Sequence, residues 1–320
     1  MKSIKYKVIL ILSAVFALTA CHEQYITYSD AEYIMFADTL TIVPVENSKN
    51  AVDVPVISTK VCNHDRTFGV EIIDKKSNAI EDLHYRLESN TITIKAGENT
   101  TSVKVYGEYD KMEPEDSLCF TMSLVMDETL QMPLYGKETR VQLRKVYPFD
   151  INAFEGWAVF TSMFHRQFNL PYQRLVHTKV VQNMENTIIC KNMFNEGYDV
   201  MLSFNNENIL NPLVTMPQEQ IISDESSIFG QNNGDNHIRA VHSPLAPSFF
   251  YMTSNKPYLT LWSLVYVKNL GEYVGNVGNF YSIMEWVSDQ EASRLSRENG
   301  LPGYDGVPHN PNDPFEQDKY

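Results

Sequence analysis

The chain has 320 residues, with 40 Asp and Glu against 26 Lys and Arg, a formal charge of −14, and 12% aromatic residues. An acidic surface of that size repels phosphate backbones and anionic headgroups, which excludes nucleic acid as a partner. The length exceeds one ordinary domain and suits two, each able to bury its own core.

Lys2, Lys5 and Lys7 precede an eleven-residue apolar run over 8–18, the charged-then-apolar order of an export leader. The run is too short to span a bilayer, which takes roughly 20 residues in a helix. Leu18, Thr19 and Ala20 then lead into Cys21. This segment resembles the bacterial lipobox, and the resemblance implies that Cys21 becomes the acylated first residue of a mature lipoprotein. An ordinary secretory leader with a chance cysteine is the alternative. Residues 1–20 are expected to be the signal peptide and 21–29 a tether. Removal of the leader takes away three lysines and no acid, leaving a charge of −17. His22 rather than Asp follows the cysteine, which points to the outer membrane.

Besides Cys21 there are Cys62, Cys119 and Cys190, an odd number at irregular spacing and no disulfide framework. A bridge between Cys62 and Cys119 would join two strands of one sandwich. Against it, the apolar row Leu118, Phe120, Met122, Leu124 puts Cys119 on the opposite face.

Over 34–146 the apolar period is two almost throughout, the pattern of strands with one buried face. Val52, Val54 and Val56 alternate with Asp53 and Pro55, and Phe68, Val70 and Ile72 with Gly69 and Glu71. Leu83, Tyr85 and Leu87 alternate with His84 and Arg86. Ile92 and Ile94, a turn at Ala96-Gly97-Glu98-Asn99, Val103 and Val105, the Leu118 row, and Val141 and Leu143 complete seven or eight short strands without a helix. Val54-Pro55-Val56, Arg66 through Val70, Asp82-Leu83-His84-Tyr85, Thr91 through Gly97, and Tyr109-Asp110 with Glu113 before a strand resemble a Calx-beta-type immunoglobulin-like domain. They resemble in particular the amino-terminal domain of uncharacterised Bacteroidota-type surface lipoproteins. That resemblance implies a β-sandwich over 30–147, a position facing outward from the outer membrane, and a calcium site at Asp110, Glu113, Glu115 and Asp116. The alternative for these acids is a solvated turn, and Lys111 and Pro114 count against a cage.

At Tyr147-Pro148-Phe149-Asp150 the pattern changes and aromatic density rises. Strands are expected over 157–164, 175–182, 186–191, 198–204, 247–252, 259–267 and 281–287, separated by Asn- and Gly-rich turns. Residues 148–300 therefore read as an aromatic-rich antiparallel barrel or sandwich, similar to the lipocalin-like domain that accompanies such sandwiches. Ser288-Asp289-Gln290-Glu291 has the form of a capping box, and Gly300 would stop the resulting short helix. Residues 301–320, rich in Pro, Gly, Asn and Asp, read as an irregular tail. The whole chain is thus expected to be all-β with one short C-terminal helix.

No nucleophile elbow, zinc-binding helix or phosphate-cradling glycine loop is present. His237 and His242, five apart, fall on opposite faces of a strand and make poor co-ligands. Aromatic side chains are the feature open to a functional reading. Period-two aromatics in strands fill a core, yet Trp157, Tyr251, Tyr258 and Trp262 could instead form a platform on which sugars stack. Phe249-Phe250-Tyr251 places aromatics on both faces of one strand, so one of them must cover something outside the principal core. The preferred reading is a non-catalytic cell-envelope lipoprotein that binds an extracellular ligand such as a glycan, or acts as an accessory subunit of a nutrient-uptake assembly. A structural or adhesive spacer contacting envelope proteins comes second. A glycoside hydrolase, whose two carboxylates need no sequence signature, comes third.

Overall fold

The computed structural model describes residues 31–113, 117–134, 136–253, 256–268 and 274–306. The leader, Cys21, Glu115, Asp116 and residues 307–320 of the tail lie outside them.

The first half is a sandwich of nine strands: β1 (Ile34–Phe36), β2 (Leu40–Val45), β3 (Val52–Ser58), β4 (Arg66–Ile72), β5 (Tyr85–Leu87), β6 (Thr91–Ile94), β7 (Thr100–Gly107), β8 (Cys119–Val125) and β9 (Glu138–Lys145). One sheet runs β1-β3-β7-β5 and the other β2-β9-β8-β4-β6, antiparallel except for the β2–β9 pair. The alternating residues meet between the sheets, where Val54, Val56, Val103 and Val105 face Phe68, Val70, Phe120, Met122 and Leu124. Tyr85 and Phe120 stack at 3.7 Å. Leu83, expected in a strand with Tyr85, is instead 41% exposed in a turn. Its neighbour Asp82 has φ +63°, a left-handed conformation that breaks an extended run. Short 3-10 turns interrupt the expected all-strand course at Asp74–Lys76, Tyr109–Lys111 and Glu128–Leu130. Cys62, Cys119 and Cys190 are free thiols.

The second half contains β10 (Gly156–Ser162), α1 (Met163–Gln167), β11 (Gln173–Val180), β12 (Thr187–Cys190), β13 (Val200–Asn205), β14 (Leu213–Thr215), β15 (Gln220–Ser223), α2 (Glu225–Phe229), β16 (Ile238–His242), β17 (Phe249–Tyr251), β18 (Tyr258–Lys268), β19 (Val274–Val287) and α3 (Asp289–Asn299). The order β19-β10-β11-β12-β13-β14-β17-β18 closes through β18–β19 into an eight-stranded antiparallel barrel. Between barrel or sandwich, the structure is a barrel. The strands β14, β15 and β16 and the helices α1 and α2 escape a period-two reading because each spans only three to five residues.

The wall between β13 and β18 is built in two tiers. Beside one end of β18 stand β17 and β14, and beside the other stand β16 and β15. Where no backbone ladder joins β15 to β13, the Gln220 side chain takes its place. Its amide nitrogen donates to Met201 O at 2.8 Å, and its carbonyl oxygen accepts from Met201 N at 2.6 Å.

Eight strands enclose a space that side chains alone can fill, and here aromatics fill it. Phe154, Phe160, Phe164, Phe194, Phe204, Phe250 and Trp286 are all buried in one cluster. Among the described residues, these side chains pack the barrel interior.

The C-terminal helix forms as its cap predicts. Ser288 Oγ accepts from Glu291 N at 3.2 Å, and Gly300 ends the helix at φ +67°. After it the chain is irregular but docked: Pro302 O accepts from Leu175 N at 2.8 Å, and Tyr304 lies 4.9 Å from the Trp157 ring. A Cβ on Gly303 would stand 2.1 Å from Leu175 O, so only glycine lets the tail approach β11 this closely.

Candidate ligand-binding face

Strand β18 alternates strictly. Leu259, Leu261, Ser263, Val265 and Val267 are buried, which leaves Tyr258, Thr260, Trp262, Leu264 and Tyr266 on the outer face. Its neighbours carry that face sideways in register. Tyr251 on β17 and Glu285 on β19 flank Tyr258, Phe249 and Ile283 flank Thr260, and Tyr281 stands opposite Trp262. Tyr251 and Tyr258 stack with ring centroids 4.6 Å apart and planes at 19°, and Trp262 and Tyr281 lie 5.2 Å apart. Burial, followed by the neighbouring Tyr251, Tyr281 and Glu285 charges, raises the Tyr258 phenol above its usual range. Burial and then Tyr251 do the same for Tyr281. These phenols stay neutral hydrogen-bonding groups well above physiological pH.

Two helices border the face. Between it and α3 lies a hollow of about 290 Å³ lined by Val159, Gln173, Tyr258, Glu285, Leu295 and Leu301 among others. Against α1 lies another, of about 540 Å³, lined by Met163, Gln167, Trp262, Asn279, Phe280 and Tyr281.

Of the four aromatics singled out from the sequence, the structure brings Tyr251, Tyr258 and Trp262 onto this one face and removes Trp157 from it. Trp157 is 1% exposed, packed with Val159, Leu175 and Ala292 beneath α3 and Tyr304. It also points out of the barrel, but the helix docks over it, so it is a core residue of a second, smaller cluster. Sequence reasoning passed over Tyr281. The signal was available, because Met284 and Trp286 belong inside, and a period of two then turns Tyr281 outward. Tyr266, on the same strand, belongs to a charged end instead: its hydroxyl donates to Glu219, which also pairs with Lys268 at 2.8 Å and Arg239 at 3.2 Å.

The carboxylates of the calcium expectation lie in the sandwich half. Asp110 lies on the exposed 3-10 turn, while Glu115 and Asp116 are outside the described residues. Lys145 Nζ donates to Met112 O at 2.7 Å and sits 4.3 Å from the Tyr109 ring centroid. This ammonium holds the carbonyl of the turn, beside the exposed Glu113. Among the described residues no group of three or more His, Cys, Asp or Glu is arranged to hold a metal. His237 has Asp235 at 3.8 Å, and His242 is half-buried on β16.

Fold and face together define a two-core, all-β protein in which a sandwich precedes an aromatic-packed barrel with further aromatics on its outer surface. A family model described as a domain of unknown function (DUF4984) matches residues 134–298, just over half of the chain, and the chain belongs to that family. No curated protein matches it. Among solved structures, it is similar to a protein of unknown function from Bacteroides ovatus at 9% identity and TM-score 0.32, covering 80% of this chain and 94% of that one. It is similar to an auxiliary nutrient binding protein from Bacteroides thetaiotaomicron at 13% identity and TM-score 0.29, covering 83% and 95%. The apo form of the Calx CBD1 domain matches at 12% identity and TM-score 0.30, over 36% of this chain and 98% of that domain.

Proposed function

We propose that this protein is a non-catalytic ligand-binding lipoprotein of the cell envelope that takes a glycan chain on the outer face of its barrel. The observation that carries the reading is the convergence of Tyr251, Tyr258, Trp262 and Tyr281 on one accessible sheet face between two helices. An aromatic ring covers the apolar face of a pyranose, and the outward Thr161, Gln173, Thr260 and Asn279 can meet its hydroxyls. Tyr258 and Trp262 are four residues apart along one strand, about 13 Å at the usual rise, a length suited to an oligosaccharide rather than a single sugar.

Screening the purified protein against a glycan array tests this. Binding to at least one glycan is expected, and Trp262→Ala should weaken it roughly 5- to 30-fold, the effect of removing an aromatic anchor. Absence of binding across the array, or affinity untouched by Trp262→Ala, would overturn the reading in favour of a structural or adhesive role.

The anchor belongs to the same proposal. Acylation of Cys21 would hold the protein at the outer membrane, since each buried methylene contributes about 0.8 kcal/mol. Cys21→Ser is expected to move the protein from the membrane fraction to the soluble fraction on fractionation of expressing cells. A variant that remains in the membrane fraction would remove the anchor from the account.

A further inference from the structure

We infer that the face selects sugars bearing a free amino group, through a slot between the Tyr258 ring and the Glu285 carboxylate. The inference rests on the glycan reading above and adds the class of sugar. Tyr251 and Tyr258 are register partners on adjacent strands, and their rings stack nearly parallel at 4.6 Å. Cross-strand side chains that stack in this way stand ring against ring, so one face of Tyr258 is taken by Tyr251. The other turns toward β19, where the register partner of Tyr258 is Glu285. The Glu285 charge bears on the Tyr258 phenol, as its proximity requires.

Glu285 is exposed, and no hydrogen bond or ion pair engages it among the described residues. By contrast Glu291, the other carboxylate of the same hollow, is held by Arg294 at 2.7 Å. An aromatic face with its negative quadrupole on one side and an unengaged carboxylate on the other is the arrangement that attracts an organic ammonium. The negative charge of the whole chain acts in the same direction and disfavours uronic or sulfated sugars. Lys256 also lines the hollow, but its charge bears on Glu291.

The test is calorimetric titration of the purified protein with β1,4-linked oligomers of glucosamine, N-acetylglucosamine and glucose of equal length, at a pH where the glucosamine amine is charged. Glucosamine oligomers are expected to bind roughly 3- to 30-fold more tightly than the acetylated ones, the combined reach of an exposed ion pair and a cation–π contact. Glu285→Gln should lower that ratio toward the roughly 2- to 5-fold that the cation–π contact with Tyr258 alone supplies, with its thermal midpoint confirming that the barrel is folded. Equal affinities in the unsubstituted protein, or a ratio left unchanged by Glu285→Gln, would overturn the slot while leaving glycan binding itself standing. If none of these oligomers binds and the array is blank as well, the glycan reading falls and the slot with it.

Discussion

Trp157→Ala is expected to destabilise the barrel by about 3–5 kcal/mol, the usual cost of truncating a buried tryptophan. The indole is fully covered, wedged between the outer surface of the barrel and the residues that close over it. Leu295 and Leu301 pack on the same cluster from α3 and from the residues just after it, and Tyr304 reaches it from the tail. Removing the ring therefore deprives α3 of much of the surface that holds it. The helix has little else to keep it in place, because one face of an eleven-residue helix is all it can bury. Urea denaturation followed by far-ultraviolet dichroism measures the loss, and proteolysis between 288 and 306 should accelerate. The contrast with Trp262→Ala decides the matter. Trp262 is partly exposed, and its truncation should cost binding while changing stability by much less. If the two tryptophan variants lose stability equally, the distinction between a covered and an open aromatic is wrong.

Acid is expected to weaken the barrel through His165. This side chain is 2% exposed on α1, and its Nε2 lies 2.8 Å from Phe194 O, which it meets as a donor in the neutral tautomer. Burial pushes its pKa down to about 4, with the nearby Arg174 acting in the same direction and the Phe194 carbonyl partly opposing. The folded state thus keeps the ring neutral where the unfolded chain, with a pKa near 6.5, takes up a proton. Stability linked to this group is complete above about pH 6.5 and falls as the pH drops toward 4, by about 3 kcal/mol over that window. All three tryptophans, Trp157, Trp262 and Trp286, lie in the barrel half, so their fluorescence reports its unfolding. Denaturant titrations at several pH values should show the slope in the unsubstituted protein and a shallower one in His165→Gln, which retains a donor for Phe194 O. Identical slopes would remove His165 as the origin of acid sensitivity.

Much of the architecture was legible because it rests on local rules. Val52 through Val56 and Phe68 through Ile72 alternate so regularly that no helix could bury them, and Ser288 with Gly300 marked both ends of α3. Where the reading failed, the causes were local too. Asp82 adopted a left-handed conformation that no hydrophobic pattern reveals, and β14 to β16 are too short to show a period. The site was legible in part. Tyr251, Tyr258 and Trp262 could be named from aromatic density, whereas Tyr281 required knowing that β19 pairs with β18 along its full length. The significance of Glu285 likewise depended on register, since it lies 27 residues from Tyr258 in sequence and next to it in the sheet.

By itself the sequence determined that the chain is acidic, rich in strands, supplied with a capped helix over 289–299, and able to turn aromatics outward. Alternation assigns a side chain to one face of a strand because the pleat has a period of two. It says nothing about what lies over that face. Trp157 and Trp262 obey the same alternation and both point away from the barrel interior. Only the tertiary structure, by folding α3 and the following turn back across β10 and β11 and leaving β18 bare, made one of them core and left the other open to a ligand.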